Sequence, residues 1–179
     1  IAAAQAAGAA NPASPEANGA LGAIFHAYGW LEQAKVCYRR AAILEPAAFR
    51  WGYCLGRVLV ETGERDEGLD LVRRAAALRD DYVPAALFLG EQAFQDENLD
   101  EARRWIGLAS KLSPRSPHVL VALGQMAFKE GKTEEAIRRY GEAIDLAPRF
   151  GRACYGLALA YRAACDLESS ARYLERHSS

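Results

Sequence analysis

Long apolar runs, clustered cysteines and metal-spaced histidines are all missing from this chain of 179 residues, and each absence closes a class of function. No apolar stretch approaches the roughly 20 residues that a membrane-spanning helix needs, so membrane insertion is not expected. The four cysteines, Cys37, Cys54, Cys154 and Cys165, follow neither a CxxC nor a zinc spacing. Cys154 and Cys165 lie 11 positions apart, too far along a helix to share one metal. Cys37 and Cys54 fall on neighbouring helices, so whether they pair stays open; small buried thiols are the expectation. His26, His118 and His177 stand outside any HExxH pattern, and the chain has no phosphate-binding glycine loop and no nucleophile elbow. Catalysis needs a nucleophile, a base or a metal in defined geometry. The sequence therefore predicts no enzyme, no catalytic residue, no metal and no cofactor. A net charge of −1 supplies no excess for a large phosphate-binding surface, so nucleic acid is not an expected partner.

Lysine is scarce, four against eighteen arginines, and alanine is abundant. That bias points to a GC-rich, bacterial genome. The chain opens on Ile1 without a charged segment and apolar signal core, which leaves cytoplasm and periplasm both open and suits a piece of a larger chain or complex.

What is present is a period. Gly22, Gly56, Gly90 and Gly124 stand 34 apart, and Ala158 falls on the next step. Ala34, Gly68, Ala102, Ala136 and Ser170 form a second ladder; Ala41, Ala75, Ala109 and Ala143 a third; Pro46, Asp80, Pro114 and Pro148 a fourth. A shared step of this length marks a stacked repeat array. In residues 117–150, Ser116 is placed to cap a helix that Pro117 starts, where a missing N–H costs nothing. Val119, Leu120, Leu123, Met126 and Ala127 keep to one helix face. Gly131 suits the left-handed C-cap. Thr133 is placed to cap a second helix, with Glu134 and Glu135 in its first turn, where the helix dipole favours negative charge. Ala136, Ile137, Tyr140, Ala143 and Ile144 make the second stripe, and Pro148 closes the unit. The small residues predict close helix contact, with Gly124 facing Ala136 and Ala143. First helices are expected near 16–28, 50–62, 84–96, 118–130 and 152–164. Second helices are expected near 31–44, 65–78, 99–112, 133–146 and 167–177. Residues 1–14 keep the register through Ala7 and Pro12, which predicts a second helix of an earlier repeat at about 1–10; a linker is the alternative.

The pattern resembles the tetratricopeptide repeat family. Its Leu-Gly, aromatic, Ala, aromatic, Ala, Pro signature reads Leu21-Gly22, Phe25, Ala34, Tyr38, Ala41 and Pro46 in the first unit. Later units give Leu55-Gly56, Leu59, Gly68, Val72, Ala75 and Asp80, then Leu89-Gly90, Ala93, Ala102, Ile106, Ala109 and Pro114. The fourth is Leu123-Gly124, Ala127, Ala136, Tyr140, Ala143 and Pro148, and the fifth Leu157-Ala158, Tyr161, Ser170 and Leu174. The resemblance implies an all-α, right-handed α-solenoid of stacked antiparallel helix pairs. Its repeats are 15–48, 49–82, 83–116, 117–150 and a partial 151–179.

It also implies a non-catalytic interaction module or scaffold that holds a segment of a protein partner in a concave groove lined by first helices. The groove places carried over are Arg50, Tyr53 and Arg57, with Val60 and Glu61, in the second repeat. The third repeat gives Leu87, Glu91, Phe94 and Gln95. The fourth gives His118, Val121, Gln125, Phe128 and Lys129, and the fifth Arg152, Tyr155, Leu159 and Arg162. The first-repeat places, Glu16, Gly19, Ala23, His26 and Ala27, are small or featureless. Tyr53, Phe94, Phe128 and Tyr155 are expected to be exposed, as contact surfaces are. The lysines and asparagines of the family's terminal-carboxylate clamp are absent at the matching places. Two other readings stay open. One is a structural subunit of a larger assembly, its groove permanently filled. The other is an RNA-binding helical repeat, disfavoured by the 34-residue step, the prolines and the charge. The arginine pairs on second helices, such as Arg73-Arg74 and Arg103-Arg104, read as a solvated outer face rather than a basic ridge.

Overall fold

Short connections of three or four residues, most of them bearing Gly or Pro, turn one helix into the next. The computed structural model describes residues 13–178, with side chains to Glu175, and no strand occurs among them. The helix expected at 1–10 lies outside the described residues. The helices are α1 (Pro15–Ala27), α2 (Leu31–Leu44), α3 (Phe49–Glu61), α4 (Arg65–Leu78), α5 (Val83–Gln95), α6 (Leu99–Leu112), α7 (Pro117–Lys129), α8 (Thr133–Leu146), α9 (Gly151–Ala163) and α10 (Leu167–Ser178). First helices start one residue ahead of the expected positions; second helices start on them.

Two compact units divide between Ala85 and Ala86, inside α5. In the first, α1 packs on α2, α2 on α3 and α3 on α4. Phe25, Ala34, Cys37, Tyr38, Leu55, Val58 and Leu59 form its main core. In the second, α6 packs on α7, α7 on α8, α8 on α9 and α9 on α10. One core there gathers Leu120, Val121, Tyr140, Ile144, Cys154 and Leu157; another gathers Ala93, Ala102, Ile106, Ala122 and Met126. Within each unit the elements are antiparallel helical hairpins, each closed by a three-residue turn.

The hairpin turns share one hydrogen-bonding device. Residues 29, 63, 97, 131 and 165, again 34 apart, all have positive φ. The following N–H reaches back into the helix just ended: Trp30 to Phe25, Glu64 to Leu59, Asn98 to Ala93, Lys132 to Ala127 and Asp166 to Tyr161, each at 2.8–2.9 Å. This is the Schellman arrangement, which satisfies carbonyls that the helix end leaves unpaired. At helix starts, Ser14 accepts from Ala17 N at 3.1 Å and Asn98 from Glu101 N at 3.3 Å. Ser116 precedes α7 in extended geometry, but its hydroxyl makes no capping bond. Thr133 is the first residue of α8, with Lys132 as the cap.

The glycine contacts correct one expectation. The atoms nearest a Cβ on Gly124 belong to the ring of Tyr140, where Ala136 and Ala143 were expected. Gly22 likewise faces Tyr38, Gly90 faces Ile106, and Gly56 faces Gly68 and Val72. The large residue sixteen positions on fills the space that the glycine leaves, so the interhelical contact is aromatic or branched against backbone, joined at Gly56 by the Gly68 backbone.

Candidate interaction surface on the first helices

In the first unit, the face of α1 and α3 is a set of charge pairs built by the 34-residue step. Arg50 Nη2 donates to Glu16 Oε1 at 2.9 Å and to Glu45 Oε2 at 3.2 Å. Its guanidinium lies 4.4 Å from the Trp51 ring centroid. The Trp51 indole N–H donates to Glu45 at 2.9 Å, and this bond, with Arg50 beside it, holds the Glu45 carboxyl below the usual range. His26 Nε2 and Glu61 Oε2 are 2.9 Å apart, and Arg57 reaches the other Glu61 oxygen at 3.5 Å.

Tyr53 departs from the expectation of exposure. It is 8% exposed, its hydroxyl donates to Pro84 O at 3.5 Å, and its ring meets Tyr82 edge-on at 5.1 Å. Phe49 joins the same group at 5.0 Å from Tyr82. Burial pushes the Tyr53 phenol up. The aromatic Tyr82 ahead of α5 covers Tyr53, a contact between loop and helix that repeat spacing alone does not report.

In the second unit, α5, α7 and α9 supply the remaining places. Leu87 and Phe94 are half-buried against the core of Ala93, Ile106 and Met126, and Phe128 is half-buried against that of Leu120 and Ala127. These two phenylalanines are thus only partly exposed. Tyr155 is the open aromatic, 48% exposed, on the same helix as the exposed Arg152 and Arg162. Lys129 donates to Glu97 at 2.9 Å, which lowers the Glu97 carboxyl.

Glu91 on α5 accepts from Arg152 Nη2 on α9 at 2.7 Å, across 61 residues of sequence. One repeat step carries Glu91 to Gln125 and returns Arg152 to His118, so the pair crosses α7 at the register of Val121. Val121 is 1% exposed, where an open groove position was expected. Gln125, beside it, is half-buried. Val121 is buried in the core with Leu120, Tyr140 and Leu157, and the partners of the strut beside it are too distant in sequence to be foreseen.

Several features lay outside the sequence reading. His118 packs edge-on against Phe150 at 4.7 Å, on an open cleft of about 520 Å³ that also has Pro117, Ala147, Pro148 and Arg149 in its wall. The turns at Glu97 and Cys165 take positive φ without glycine. Their membership of the ladder of turn glycines was the available signal.

Chemically the surface offers charge pairs and apolar contact. The His26 ring faces Glu61 and, edge-on at 6.2 Å, Tyr38. Cys37 and Cys54 are free thiols raised by burial, Cys154 is buried, and Cys165 is exposed rather than packed away. Among the described residues no group of three His, Cys, Asp or Glu side chains is placed to hold a metal, and no helix is long and apolar enough to cross a membrane.

Residues 127–178 match the model of the tetratricopeptide repeat family. No curated protein matches the chain. Among solved structures, the chain is similar to one in the APC/C hetero-tetramer Cut9–Hcn1, with a TM-score of 0.91 at 19% identity over 97% of this chain and 35% of that one. It therefore spans about a third of that chain's length. It is similar to PilF of Pseudomonas aeruginosa at a TM-score of 0.80, with 20% identity over 92% of this chain and 75% of that one. It is also similar to MamA of Desulfovibrio magneticus RS-1 at 0.73, with 16% identity over 92% and 93%. At these identities the likeness is one of fold. The tetratricopeptide assignment thus has a family match in its last third, and an all-α helical-repeat fold along the chain.

Proposed function

We propose that this tetratricopeptide-repeat chain is a non-catalytic interaction module, which holds a segment of a protein partner against the inner faces of its first helices. The observation that carries the proposal is Tyr155. It stands 48% exposed on α9, with Arg152 one turn before it and Arg162 two turns after, all exposed. Tyrosine and arginine dominate binding hot spots, because they combine large contact area with directed hydrogen bonds. Half-buried Phe94 and Phe128 lie at the matching face of the two preceding repeats.

A scaffold subunit of a larger assembly is the second reading. It is supported by the similarity to a chain whose structure is described as a hetero-tetramer. The two readings differ in whether the inner face exchanges its occupant.

A photo-crosslinking amino acid at position 155 in the full chain tests both, with position 73 on α4 as the control. A protein adduct at 155 that is absent at 73 and competed by excess unlabelled chain is the expected result. Equal labelling at the two positions overturns the inner-face assignment. An adduct at 155 that resists competition identifies the permanent assembly, and an RNA adduct identifies the nucleic-acid alternative.

A further inference from the structure

The outer face of α6 carries charge that the fold does not neutralise. Arg104, Leu108 and Lys111 follow the i, i+4, i+7 spacing of one helix stripe, and Arg115 continues it just beyond the helix end. The three cations are exposed and form no ion pair among the described residues, although Arg115 shares an opening with Glu142 and Asp145. Their neighbours are different: Arg103 pairs with Asp100 and Glu130 at 2.8 Å each, and Arg138 and Arg139 pair with Glu135 at 3.2 and 3.4 Å. The Arg104 guanidinium lies 4.9 Å from the Trp105 ring centroid. Stacking uses the flat face of a guanidinium and leaves its N–H edge free to grip a carboxylate.

Beside these cations the helix is hollow. Arg104, Trp105, Gly107, Leu108 and Lys111, with Arg103, line an open cleft of about 460 Å³ that has no carboxylate in its wall. A Cβ placed on Gly107 would meet no atom within 4 Å, so this glycine, unlike Gly124, is not required by a neighbouring helix. A glycine inside a helix weakens it, and here the weakening leaves unfilled space. Gly107 also lines a second opening of about 250 Å³, floored by Ile106, Leu123 and Met126.

We propose that the outer face of α6 docks an acidic amphipathic helix of a protein partner. Its carboxylates pair with Arg104, Lys111 and Arg115, and one apolar side chain enters the hollow over Gly107. At 1.5 Å per residue Arg104 and Lys111 stand about 10 Å apart along α6, with Arg115 just beyond its end, and glutamates at seven- and four-residue intervals on a second helix are placed to face them. The surface between them is aliphatic and hollow, which suits a leucine-like side chain rather than a phosphate chain. The site is separate from the inner face and does not depend on it.

The test is fluorescence anisotropy of the full chain with a labelled helical peptide. The peptide carries glutamates at those intervals and leucines between them; a lysine-substituted version and an oligo-uridine are run in parallel. Saturable binding of the acidic peptide alone is expected. The double substitution Arg104→Glu with Lys111→Glu should weaken it by about tenfold or more, Gly107→Leu should weaken it similarly by filling the hollow, and Arg73→Ala on α4 should leave it unchanged. Both sites are open to solvent, and circular dichroism confirms the fold; the charge reversals decide the matter if Gly107→Leu loses helix. Failure of the acidic peptide to bind, or binding indifferent to the charge reversals, overturns the proposal. Preferential binding of oligo-uridine that the reversals abolish replaces it with a nucleic-acid site.

Discussion

The ring of Tyr140 is wedged between Gly124 and Gly156. A Cβ on Gly124 would lie 2.7 Å from Tyr140 Cε1, and one on Gly156 would lie 2.5 Å from the same atom. Tyr140 itself is 3% exposed. One side chain from α8 thus fixes the spacing of both first helices that flank it. Gly124→Leu should cost about 2–4 kcal/mol in urea unfolding, because the ring has nowhere to retreat. Gly141→Ala is the matched control: its Cβ would meet nothing within 4 Å, so the substitution should stabilise by roughly 0.5–1 kcal/mol through helix propensity. Equal effects from the two would sink the wedge account.

The sequence makes the helices legible and the wedge only half so. Gly, Pro and Ala ladders repeat with the backbone, so they place every described helix to within a residue. The ladder of Tyr38, Val72, Ile106 and Tyr140 was equally visible, yet small residues invite the assumption that they face one another. Close approach is made by a large side chain lying on bare backbone, with the Gly56–Gly68 contact the one place among these glycines where small residues meet. The site was less legible for a different reason. Burial of Tyr53 depends on the loop residue Tyr82, and burial of Val121 accompanies a Glu91–Arg152 bond across 61 residues. Tyr82 lies at the far end of Tyr53's own repeat, beyond both helices, and Glu91 and Arg152 lie in the repeats on either side of Val121, so the first-helix positions of one repeat do not reveal them.

Burial also sets a pH limit. The Tyr140 phenol is pushed up from 10.0 to about 12, chiefly by desolvation, and Tyr38 is raised by the same cause. The neutral phenol is favoured in the fold, so stability is intact below pH 10. As pH rises from 10 towards 12 the unfolded chain loses its phenolic protons first, and stability falls. For Tyr140 alone the full rise corresponds to roughly 3 kcal/mol. Urea midpoints at pH 8, 10 and 11.5 should show that decline, and Tyr140→Phe should flatten it. A Tyr140→Phe curve parallel to the parent would show that Tyr140 does not set the limit.

The Glu91–Arg152 strut should matter more for binding than for folding. Arg152 is 50% exposed and Glu91 23% exposed, so screening limits their coupling to under about 1 kcal/mol in a double-mutant cycle. If the inner face holds a partner through Arg152, that partner's carboxylate competes with Glu91. Glu91→Gln should then tighten partner binding several-fold, and Arg152→Ala should weaken it by more than about 1 kcal/mol. Calorimetric titration of both variants distinguishes this from a purely structural strut, which would predict the same change in affinity for each.

Cys165 occupies the turn between α9 and α10 with φ at 62°, where the equivalent residues 29, 63 and 131 are glycine. A side chain in this region brings Cβ close to the following carbonyl oxygen, a cost of about 1–2 kcal/mol that glycine avoids. The turn still forms, because Asp166 N reaches Tyr161 O at 2.9 Å, and Asp166 then accepts from Ser169 N at 3.0 Å to start α10. That second bond holds the Asp166 carboxyl below its usual range. Cys165→Gly should therefore raise stability by about 1 kcal/mol, reduced somewhat by the greater freedom of glycine in the unfolded chain. Cys165→Ala separates backbone from thiol: it keeps the Cβ and should leave stability nearly unchanged. If alanine stabilised as much as glycine, the thiol and not the left-handed backbone would be the source of the cost. If glycine destabilised, the turn would be held by contacts of the cysteine side chain rather than by its hydrogen bonds.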